Sequence, residues 1–271
     1  LSNSVISSGT EVAGLQGSKK SLLIKAINNP SKAFDLIVKS GIKKSLNFVK
    51  TQKNLFLPTG YSASGEIVKV GKDIKNAKLG DRVACAGSSS AFHAEFIKVS
   101  ENLCVPIPNS LNYNYASTVA LGSIALHGVR RSKPTLGEIF LIVGLGIIGQ
   151  ITLQILKANG CRVIAIDPDL YRLKLAKNNG ADYCFKNLDI KNKIDLITHS
   201  NGVDATIITA SNKSDQIISQ SFKLCRKKGR IVIVGDVGLN LRRQDFYEKE
   251  IDVFISSSYG PGRYDKNYEI K

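Results

Sequence analysis

Short apolar runs alternate with longer amphipathic stretches over residues 133–258. Short apolar runs predict strands at Ile139–Val143, Arg162–Ile166, Tyr183–Phe185, Ala205–Ile208, Arg230–Val234 and Val253–Ser256. The longer stretches between these runs carry apolar residues at helical spacing, and Gly160 and Gly180 stand where two of the helices are expected to end. Strands that alternate with helices are typical of a doubly wound parallel sheet. We therefore predict one α/β domain over residues 133–271.

The pattern over residues 60–110 is different. Short alternating runs separated by glycines occur at Gly65–Lys69, Asp81–Cys85 and Ala94–Lys98. Such runs predict a compact β-rich unit, and the helical spacing of residues 111–132 predicts a helical connection to the α/β domain. Between about residues 19 and 54 the apolar positions again recur at helical spacing. We predict a β-rich domain over residues 1–132, with short amphipathic helices inserted at about 19–54.

One glycine motif lies between a predicted strand and a predicted helix: Gly144-Leu145-Gly146-Ile147-Ile148-Gly149. That order of strand, glycine turn and helix is typical of a dinucleotide-binding site. In such a site Gly144 makes the tight turn, Gly146 lets the pyrophosphate approach the backbone, and Gly149 lets the helix pack against the strand. The free amides at the start of the helix bind the phosphates.

Asp167 follows the next apolar run, Arg162–Ile166. A carboxylate at this position can accept both hydroxyls of an adenine ribose, and it repels a 2′-phosphate. The motif and Asp167 together predict a protein that binds NAD(H) and prefers it to NADP(H).

The composition is that of a globular protein, with 43% hydrophobic and 22% charged residues in 271. No apolar run approaches the roughly 20 residues that span a bilayer, and the first residues lack the pattern of a secretory signal. The five cysteines occur singly, which favours reduced core thiols in a cytosolic protein. We predict a cytoplasmic protein with no membrane partner. Because the sequence contains no Met, we expect its natural start to lie upstream.

The formal net charge is +16 and the isoelectric point is about 9.6. Two explanations remain open, namely solvated lysine-rich surfaces and an anionic small-molecule substrate. The basic residues are spread along the chain without a recognisable nucleic-acid-binding motif. We therefore expect a small-molecule substrate and no nucleic-acid partner.

The chain resembles the medium-chain dehydrogenases/reductases over essentially its whole length. The resemblance is carried by Leu57–Val68, Gly80–Val83, Ala91–Phe96, Pro134–Glu138, the glycine motif and Asp167. It implies a GroES-like β-rich catalytic domain followed by a Rossmann domain, and the chain ends before the elements that return to the catalytic domain in that family.

A second resemblance is to the first module of bacterial two-module oxidoreductases. It is carried by Val5–Glu11, Cys225–Arg230, Asp245–Glu250 and Ser258–Tyr264. This resemblance implies a downstream module similar to glucose–fructose oxidoreductase as a partner, and a homodimer is a further assembly that we consider.

The chain departs from the zinc-binding members of this family at the metal-ligand positions. The Cys, His and third-ligand positions of those members fall on Ser8, Tyr61 and the neighbourhood of Leu121. Hydroxyl and hydrocarbon side chains are poor zinc ligands compared with thiolate, imidazole or carboxylate groups. We therefore predict that no catalytic metal is bound.

Without zinc, another group must stabilise charge on the substrate oxygen during hydride transfer. The candidates in the corresponding region are Tyr61, Ser8, Thr10 and His93. Tyr61 is interpreted either as a phenolic proton donor or as a side chain that fills the space of the metal. His93 is either a proton shuttle or a buried structural histidine in an apolar strand.

The resemblance also implies positions that contact the cofactor. Arg172 corresponds to a basic residue beside the adenosine ribose in relatives. The ends of the fourth and fifth strands, where relatives bracket the nicotinamide, contribute Ala210, Ser211, Gly235 and Val237. Ligands of such sheets bind at the carboxyl ends of the strands, in agreement with these positions.

These predictions define an NAD-dependent dehydrogenase or reductase of the medium-chain class, acting on an alcohol or carbonyl such as a sugar or sugar nucleotide. Two alternatives remain. One is a quinone-reductase-like or enoyl-reductase-like activity, and the other is a non-catalytic nucleotide-binding module.

Overall fold

The computed structural model describes residues 1–7, 9, 11, 59–88, 90–265 and 267–268. The helical insertion predicted at about 19–54 lies outside these residues. Within them the chain forms a small antiparallel sheet and a larger parallel sheet with helices on both faces.

The antiparallel sheet has four strands in the order β1-β2-β3-β4. Their bounds are β1 Asn3–Ser4, β2 Ser62–Glu66, β3 Arg82–Ala86 and β4 Cys104–Pro106. One face buries a small apolar cluster, consisting of Ala63, Val83, Cys85 and Ala91. The β-rich unit predicted from residues 60–110 is therefore present.

The predicted strand at Ala94–Lys98 is wrong, because this segment forms bends. Its backbone polar groups have partners that do not form a ladder. The His93 amide donates to the Thr59 carbonyl at 2.8 Å, and the Glu95 carbonyl accepts from the N-terminal ammonium of Leu1. These two bonds take the place of cross-strand pairing at His93 and Glu95.

The parallel sheet has six strands in the order β10-β9-β8-β5-β6-β7. Their bounds are β5 Ile139–Val143, β6 Arg162–Ile166, β7 Tyr183–Phe185, β8 Val203–Ile208, β9 Cys225–Ile233 and β10 Asp252–Ile255. All six predicted strands are found. β8 and β9 begin earlier than predicted because Val203 also pairs with Cys225, with an irregularity in the register between Val203 and Ala205.

Seven α-helices have defined bounds in the described residues, besides two short 3₁₀ turns. They are α1 Tyr113–Ala116, α2 Val119–Ser132, α3 Ile147–Ala158, α4 Leu170–Asn178, α5 Lys191–Thr198, α6 Gln216–Leu224 and α7 Arg243–Phe246. Gly160 and Gly180 follow the ends of α3 and α4 with φ angles of +77° and +96°, conformations that glycine adopts readily.

The continuous apolar runs of the sequence reflect burial of both faces of the parallel sheet. In β5, Leu141 and Val143 point into one apolar cluster, whereas Phe140 and Ile142 point into the other. All four of these side chains are at most 4% exposed. The fold is thus the predicted mixed α/β architecture.

Helix α2 connects the two sheets. It packs against β2 and β3 on one side and against α3 and β9 on the other. The buried Ser62 hydroxyl fixes its N-terminal end, since it donates to the Ser117 carbonyl at 2.6 Å and accepts from the Ala120 amide at 3.1 Å. At its far end, a Cβ added to Gly128 would lie 2.8 Å from a Val234 methyl group, so the helix approaches the α/β domain closely.

No helix among the described residues is both long and apolar enough to cross a bilayer.

Asp182 gives a prediction about pH-dependent stability. Its carboxylate accepts from Lys157 Nζ at 2.8 Å and from the Val163 amide at 2.6 Å, and thereby ties the end of α3 to β6. Burial alone would raise the pKa of Asp182, but the bonds from Lys157 and Val163 outweigh it and hold this pKa below the usual 3.8. We expect Asp182→Asn to lower the free energy of unfolding by about 1 kcal/mol at neutral pH.

A depressed carboxyl pKa contributes stability that is present above the unfolded pKa and is lost as the pH falls through the folded pKa. The difference in the free energy of unfolding between wild type and Asp182→Asn should therefore shrink at pH values below the usual carboxyl pKa of 3.8. Urea denaturation of both proteins across this range measures the effect, with Asp252→Asn on exposed β10 as the control. A difference that stays constant into strong acid would contradict this assignment.

Candidate active site

The glycine motif forms a tight turn between β5 and α3. Gly144 has a φ angle of +95°, and a Cβ added to it would lie 2.6 Å from the Ala210 nitrogen. A Cβ on Gly149 would collide with the Gly144 carbonyl oxygen and would lie 2.9 Å from the Thr209 hydroxyl. These two positions accept only glycine without rearrangement, because the obstructing atoms belong mainly to the backbone.

Gly146 differs from the other two glycines because no described atom lies within 4 Å of the place that its Cβ would occupy. It caps α3 in an extended conformation, and as a glycine it offers the first amides of the helix no side-chain acceptor. A helix start with free amides and a positive dipole end is a binding site for anionic groups. The residues present thus fit the pyrophosphate of a nicotinamide dinucleotide, with open space where that group must approach. Ile147 at the start of α3 is exposed, Ile148 is half-buried, and Leu145 is buried.

The Asp167 carboxylate supports the glycine turn directly. It is 3% exposed, and its two oxygens accept from the Leu145 amide at 2.7 Å and from the Asp169 amide at 2.9 Å. Arg172 Nη1 lies 3.5 Å from the same carboxylate, and Arg172 Nε lies 3.7 Å from Asp169. Asp167 is therefore not an isolated charge at the edge of the sheet, because an adjacent cation and two amides partner it.

The carboxyl ends of β5, β8 and β9 meet beside the turn. Ala210 lies between Gly144 and Gly235, and a Cβ on Gly235 would collide with the Ala210 carbonyl oxygen. Ser211 is exposed at this edge of the sheet. Val237 is only 7% exposed and packs into the apolar core, with its backbone bridged to Asn212. The structure therefore places Ser211 in the open and Val237 in the core.

Thr209, which the resemblance places with Ala210 and Ser211 at the end of the fourth strand, is also part of this arrangement. Its hydroxyl donates to the Gly144 carbonyl at 2.5 Å and contacts the Val143 carbonyl at 3.3 Å. It therefore binds a carbonyl that the tight turn would otherwise leave without a partner. It lies directly after the last residue of β8, at the carboxyl edge of the sheet where it was expected.

A second group of predicted residues surrounds the turn at residues 59–61. Gly60 is buried with a φ angle of +97°, and a Cβ there would lie 2.9 Å from the His93 ring. The Tyr61 carbonyl accepts from the Gly87 amide at 2.9 Å. The Tyr61 side chain is half-buried, and its hydroxyl forms no hydrogen bond with any described residue. The backbone of Tyr61 is thus fixed while its phenol remains available.

His93 is held by two residues from the start of the chain. Its Nδ1 lies 2.8 Å from the Ser4 hydroxyl, and its Nε2 lies 3.2 Å from a Glu11 carboxylate oxygen that also accepts from the Ser7 amide. Because a carboxylate only accepts, an ionised Glu11 requires the His93 proton on Nε2. The side chains of His93 and Glu11 are 25% and 15% exposed, so the predicted apolar burial of His93 is wrong.

Glu11 and Ser4 were not predicted as site residues, and no local pattern marks them. The two other catalytic candidates, Ser8 and Thr10, lie outside the described residues. The region that the structure describes contains no cluster of three or more His, Cys, Asp or Glu side chains suited to a metal ion. At the third metal-ligand position of the resemblance, Leu121 is a fully buried hydrocarbon side chain in α2, which does not fit zinc.

The two groups lie in different parts of the molecule. The nucleotide candidates cluster at the carboxyl edge of the parallel sheet, and Tyr61 and His93 belong to the antiparallel unit. Helix α2 contacts both units, and the Ser62 bonds anchor it one residue after Tyr61. This arrangement places a predicted anion-binding turn and a predicted proton donor on two units joined by one helix.

Two family models match the chain. One is described as an alcohol dehydrogenase GroES-like domain and matches residues 19–109, and the other is described as a zinc-binding dehydrogenase and matches residues 148–270. Together they cover well over half of the sequence in the order expected for the fold. The chain belongs to the medium-chain dehydrogenase/reductase superfamily.

Individual relatives differ in the activity that their names state. A sorbitol dehydrogenase of Bacillus subtilis (strain 168) is 27% identical over 244 residues, which are 77% of this chain and 67% of that protein. A quinone oxidoreductase of Mus musculus is 32% identical over 213 residues, 73% of this chain and 62% of that protein. The chain thus spans about two thirds or less of each of these two relatives.

Solved structures show the same fold. The crystal structure of 2R,3R-butanediol dehydrogenase from Bacillus subtilis superimposes with a TM-score of 0.67 at 26% identity, over 78% of this chain and 68% of that one. A mycobacterial protein complexed with NADPH has a TM-score of 0.67 at 21% identity, over 80% of this chain and 70% of that one.

The glycines of the turn give a prediction that separates binding from folding. Gly146→Ala adds a methyl group to open space, so we expect the free energy of unfolding to change by less than about 1 kcal/mol. The affinity for NADH should fall at least about tenfold, because the methyl group occupies the approach of the pyrophosphate. Calorimetric titration with NADH and urea denaturation measure the two effects.

Two matched variants complete this test. Gly149→Ala should cost about 2 kcal/mol of stability, because its Cβ collides with the backbone. Gly122→Ala lies inside α2 with no described atom near its new methyl group, so it should leave NADH affinity unchanged and raise stability by up to about 1 kcal/mol. Equal NADH affinities for wild type and Gly146→Ala would show that the pyrophosphate binds elsewhere.

Proposed function

We propose that this chain transfers a hydride between NAD(H) and an alcohol or carbonyl substrate without catalytic zinc, using an antiparallel catalytic domain over residues 1–132 and a nucleotide-binding domain over residues 133–271. The observation that carries the proposal is the glycine turn at the start of α3. It combines two glycines that the packing requires, a third that faces open space, and a carboxylate bonded to the same turn.

Each part of the turn has a distinct role toward the dinucleotide. The first amides of α3 bind the pyrophosphate, and the open side of Gly146 lets it approach. Asp167 accepts the ribose hydroxyls while it holds the Leu145 amide. Ala210 and Gly235 lie at the adjoining strand ends, where the nicotinamide end of the cofactor is expected. When bound, that ring supplies or accepts the hydride.

The preference for NAD(H) depends on the balance between Asp167 and Arg172. A carboxylate repels a 2′-phosphate, whereas a guanidinium attracts it. Asp167 is 3% exposed and fixed by two amides, whereas the Arg172 side chain is 48% exposed and contacts carboxylates at 3.5 and 3.7 Å. The rigid carboxylate therefore sets the preference, and Arg172 reduces it by lowering the local negative charge.

Tyr61 is the group that we assign to the substrate oxygen. Its backbone is held between Gly60 and Gly87, and no described residue bonds to its hydroxyl. A phenol can donate a hydrogen bond to a developing alkoxide without ionising first. Ser8, Thr10 and His93 are the other candidates for this role. In this assignment, the His93–Glu11 pair orients the turn at residues 59–61 and can hold a proton on Nε2.

Sugar alcohols and related hydroxyl compounds are the substrate class that we favour. The similarity to a sorbitol dehydrogenase over 77% of this chain supports this choice. Quinone reduction is the second candidate, supported by the 32% identity to a quinone oxidoreductase. The two are distinguished by incubating the protein with NAD⁺ and polyols, or with NADH or NADPH and a quinone, while following absorbance of the reduced nicotinamide.

The cofactor preference is tested by titration. We expect NADH to bind at least about tenfold more tightly than NADPH, equivalent to roughly 1.4 kcal/mol. Asp167→Asn should narrow that ratio, because it removes the charge but keeps an oxygen that can accept from the Leu145 amide. Asp252→Asn, at the opposite edge of the parallel sheet, should leave the ratio unchanged. Equal calorimetric affinities of the wild-type protein for the two nucleotides would refute the preference.

The role of Tyr61 is tested with Tyr61→Phe, which keeps the ring and removes the hydroxyl. We expect the turnover rate to fall about a hundredfold, as for loss of one oxyanion donor, with NADH affinity unchanged. Tyr171→Phe, on exposed α4, is the matched control and should keep the wild-type rate. If Tyr61→Phe turns over at the wild-type rate, Tyr61 only fills space and the assignment is wrong.

A further inference from the structure

Two cysteines that are distant in the sequence face each other in the antiparallel sheet. Cys85 on β3 and Cys104 on β4 are separated by 19 positions and are direct cross-strand partners. Their sulfur atoms lie 3.4 Å apart. Both are free thiols in this structure. Neither is assigned a role by the glycine turn or by the group around Tyr61.

The backbone position of this pair suits a covalent bond between the sulfurs. The Cys104 amide donates to the Glu101 carbonyl and not across the sheet, and the Ile107 amide donates to the Arg82 carbonyl. Hydrogen-bonded and non-hydrogen-bonded pairs alternate along an antiparallel ladder. The bond between Ile107 and Arg82 fixes this alternation and makes Cys85 and Cys104 a non-hydrogen-bonded pair. In such a pair the facing Cα atoms are only about 4.5 Å apart. A disulfide requires a Cα separation of about 4.4–6.8 Å. The two strands therefore need not move far for the bond to form.

The environments of the two thiols differ in a way that favours reaction at Cys104. Cys85 is 4% exposed, whereas Cys104 is partly exposed. When the Cys85 thiol donates, the hydrogen bond between the two sulfurs lowers the pKa of Cys104 against the opposing effect of burial. The same bond, together with burial, raises the pKa of Cys85. Because the thiolate is the reactive form of cysteine, Cys104 is the better nucleophile of the two.

We propose that Cys85 and Cys104 form a redox-active dithiol, in which Cys104 reacts first with a peroxide and Cys85 then closes a disulfide. The Cys104 thiolate attacks one oxygen of hydrogen peroxide, the O–O bond breaks, and the leaving hydroxide takes up a proton to give water and a sulfenic acid. The Cys85 sulfur then attacks the Cys104 sulfur and the S–O bond breaks. The departing hydroxide takes the Cys85 proton and leaves as a second water. Two thiols are oxidised and one peroxide is reduced to two waters.

The disulfide would close a ring that contains Gly87 and His93. The Gly87 amide binds the Tyr61 carbonyl, and the His93 ring packs against Gly60. Closing a ring restricts the unfolded chain more than the folded one. Oxidation should therefore raise the midpoint of thermal unfolding by about 5 °C, and dithiothreitol should reverse the rise.

The direct test uses the wild-type protein and hydrogen peroxide. After treatment, intact mass should fall by the mass of two hydrogen atoms, and free thiols should fall from five to three. Peptide mapping should then find one cross-link, between the fragments that contain Cys85 and Cys104, and dithiothreitol should remove it. Retention of all five thiols, or a bond that involves other cysteines, would overturn the proposal.

The order of reaction is tested with Cys85→Ala and a sulfenic-acid trap such as dimedone. This variant should accumulate the dimedone adduct at Cys104, whereas wild type should show little, because Cys85 consumes the sulfenic acid. Cys184 is the internal control, since it is also partly exposed but its thiol donates to the Leu173 carbonyl at 3.7 Å and not to a cysteine among the described residues. Labelling of Cys184 and Cys104 at equal rates would contradict selective activation. The wild-type thiol map remains decisive if Cys85→Ala folds poorly.

Discussion

The candidate nucleotide site depends on one steric constraint, the contact of backbones at the carboxyl ends of three neighbouring strands. Gly144 follows β5, Ala210 follows β8, and Gly235 follows β9, and a Cβ on either glycine would run into Ala210. The Thr209 hydroxyl binds the Gly144 carbonyl at 2.5 Å and fixes the turn against β8. Because the strand ends are this close, α3 begins at the edge of the sheet with its amides free and pointing away from the core. The anion-binding geometry is thus a consequence of backbone packing.

The charge of Asp167 acts both on the glycine turn and, in our proposal, on the choice between the two nicotinamide nucleotides. Asp167 follows β6, one strand away from the turn, and its carboxylate reaches back to the Leu145 amide. The same carboxylate is the group that distinguishes a ribose hydroxyl from a phosphate in our proposal. Arg172 partly balances its charge from α4. Substitutions of Asp167 therefore affect the shape of the turn and the choice of nucleotide together. A substitution that tests the charge has to keep an oxygen that accepts from the Leu145 amide.

The antiparallel unit is held by polar contacts more than by a large core. Among the described residues, its two apolar clusters bury only seven residues, four of which are alanines. The His93 ring bonds to Ser4 and Glu11, the Tyr61 carbonyl bonds to Gly87, and the Ser62 hydroxyl bonds to the start of α2. Because this core is small, such polar contacts contribute more to the stability of the antiparallel unit than they would in the parallel sheet. The same holds for a cross-strand thiol pair that can become covalent.

The sequence by itself determined the parallel sheet and the turn that follows its first strand. Five-residue apolar runs, glycines at helix ends and a G-x-G-x-x-G motif are local features, and local backbone preferences convert them directly into strands, caps and turns. The pattern failed at Ala94–Lys98, where the Glu95 carbonyl bonds to the N-terminal ammonium of Leu1 and the preceding His93 amide bonds to Thr59. Only the tertiary structure could decide such pairings.

The same limit applies to the contacts of individual side chains. His93 meets Glu11 and Ser4 across 82 and 89 positions, and Cys85 meets Cys104 through the register of two strands. Arg172 on α4 lies 3.5 Å from Asp167, which follows β6. Periodicity predicts which face of an element is buried, but it does not fix which residues of two distant segments come together. Those contacts depend on strand register and on closure of the chain over long separations, and the sequence leaves them undetermined until the whole fold has formed.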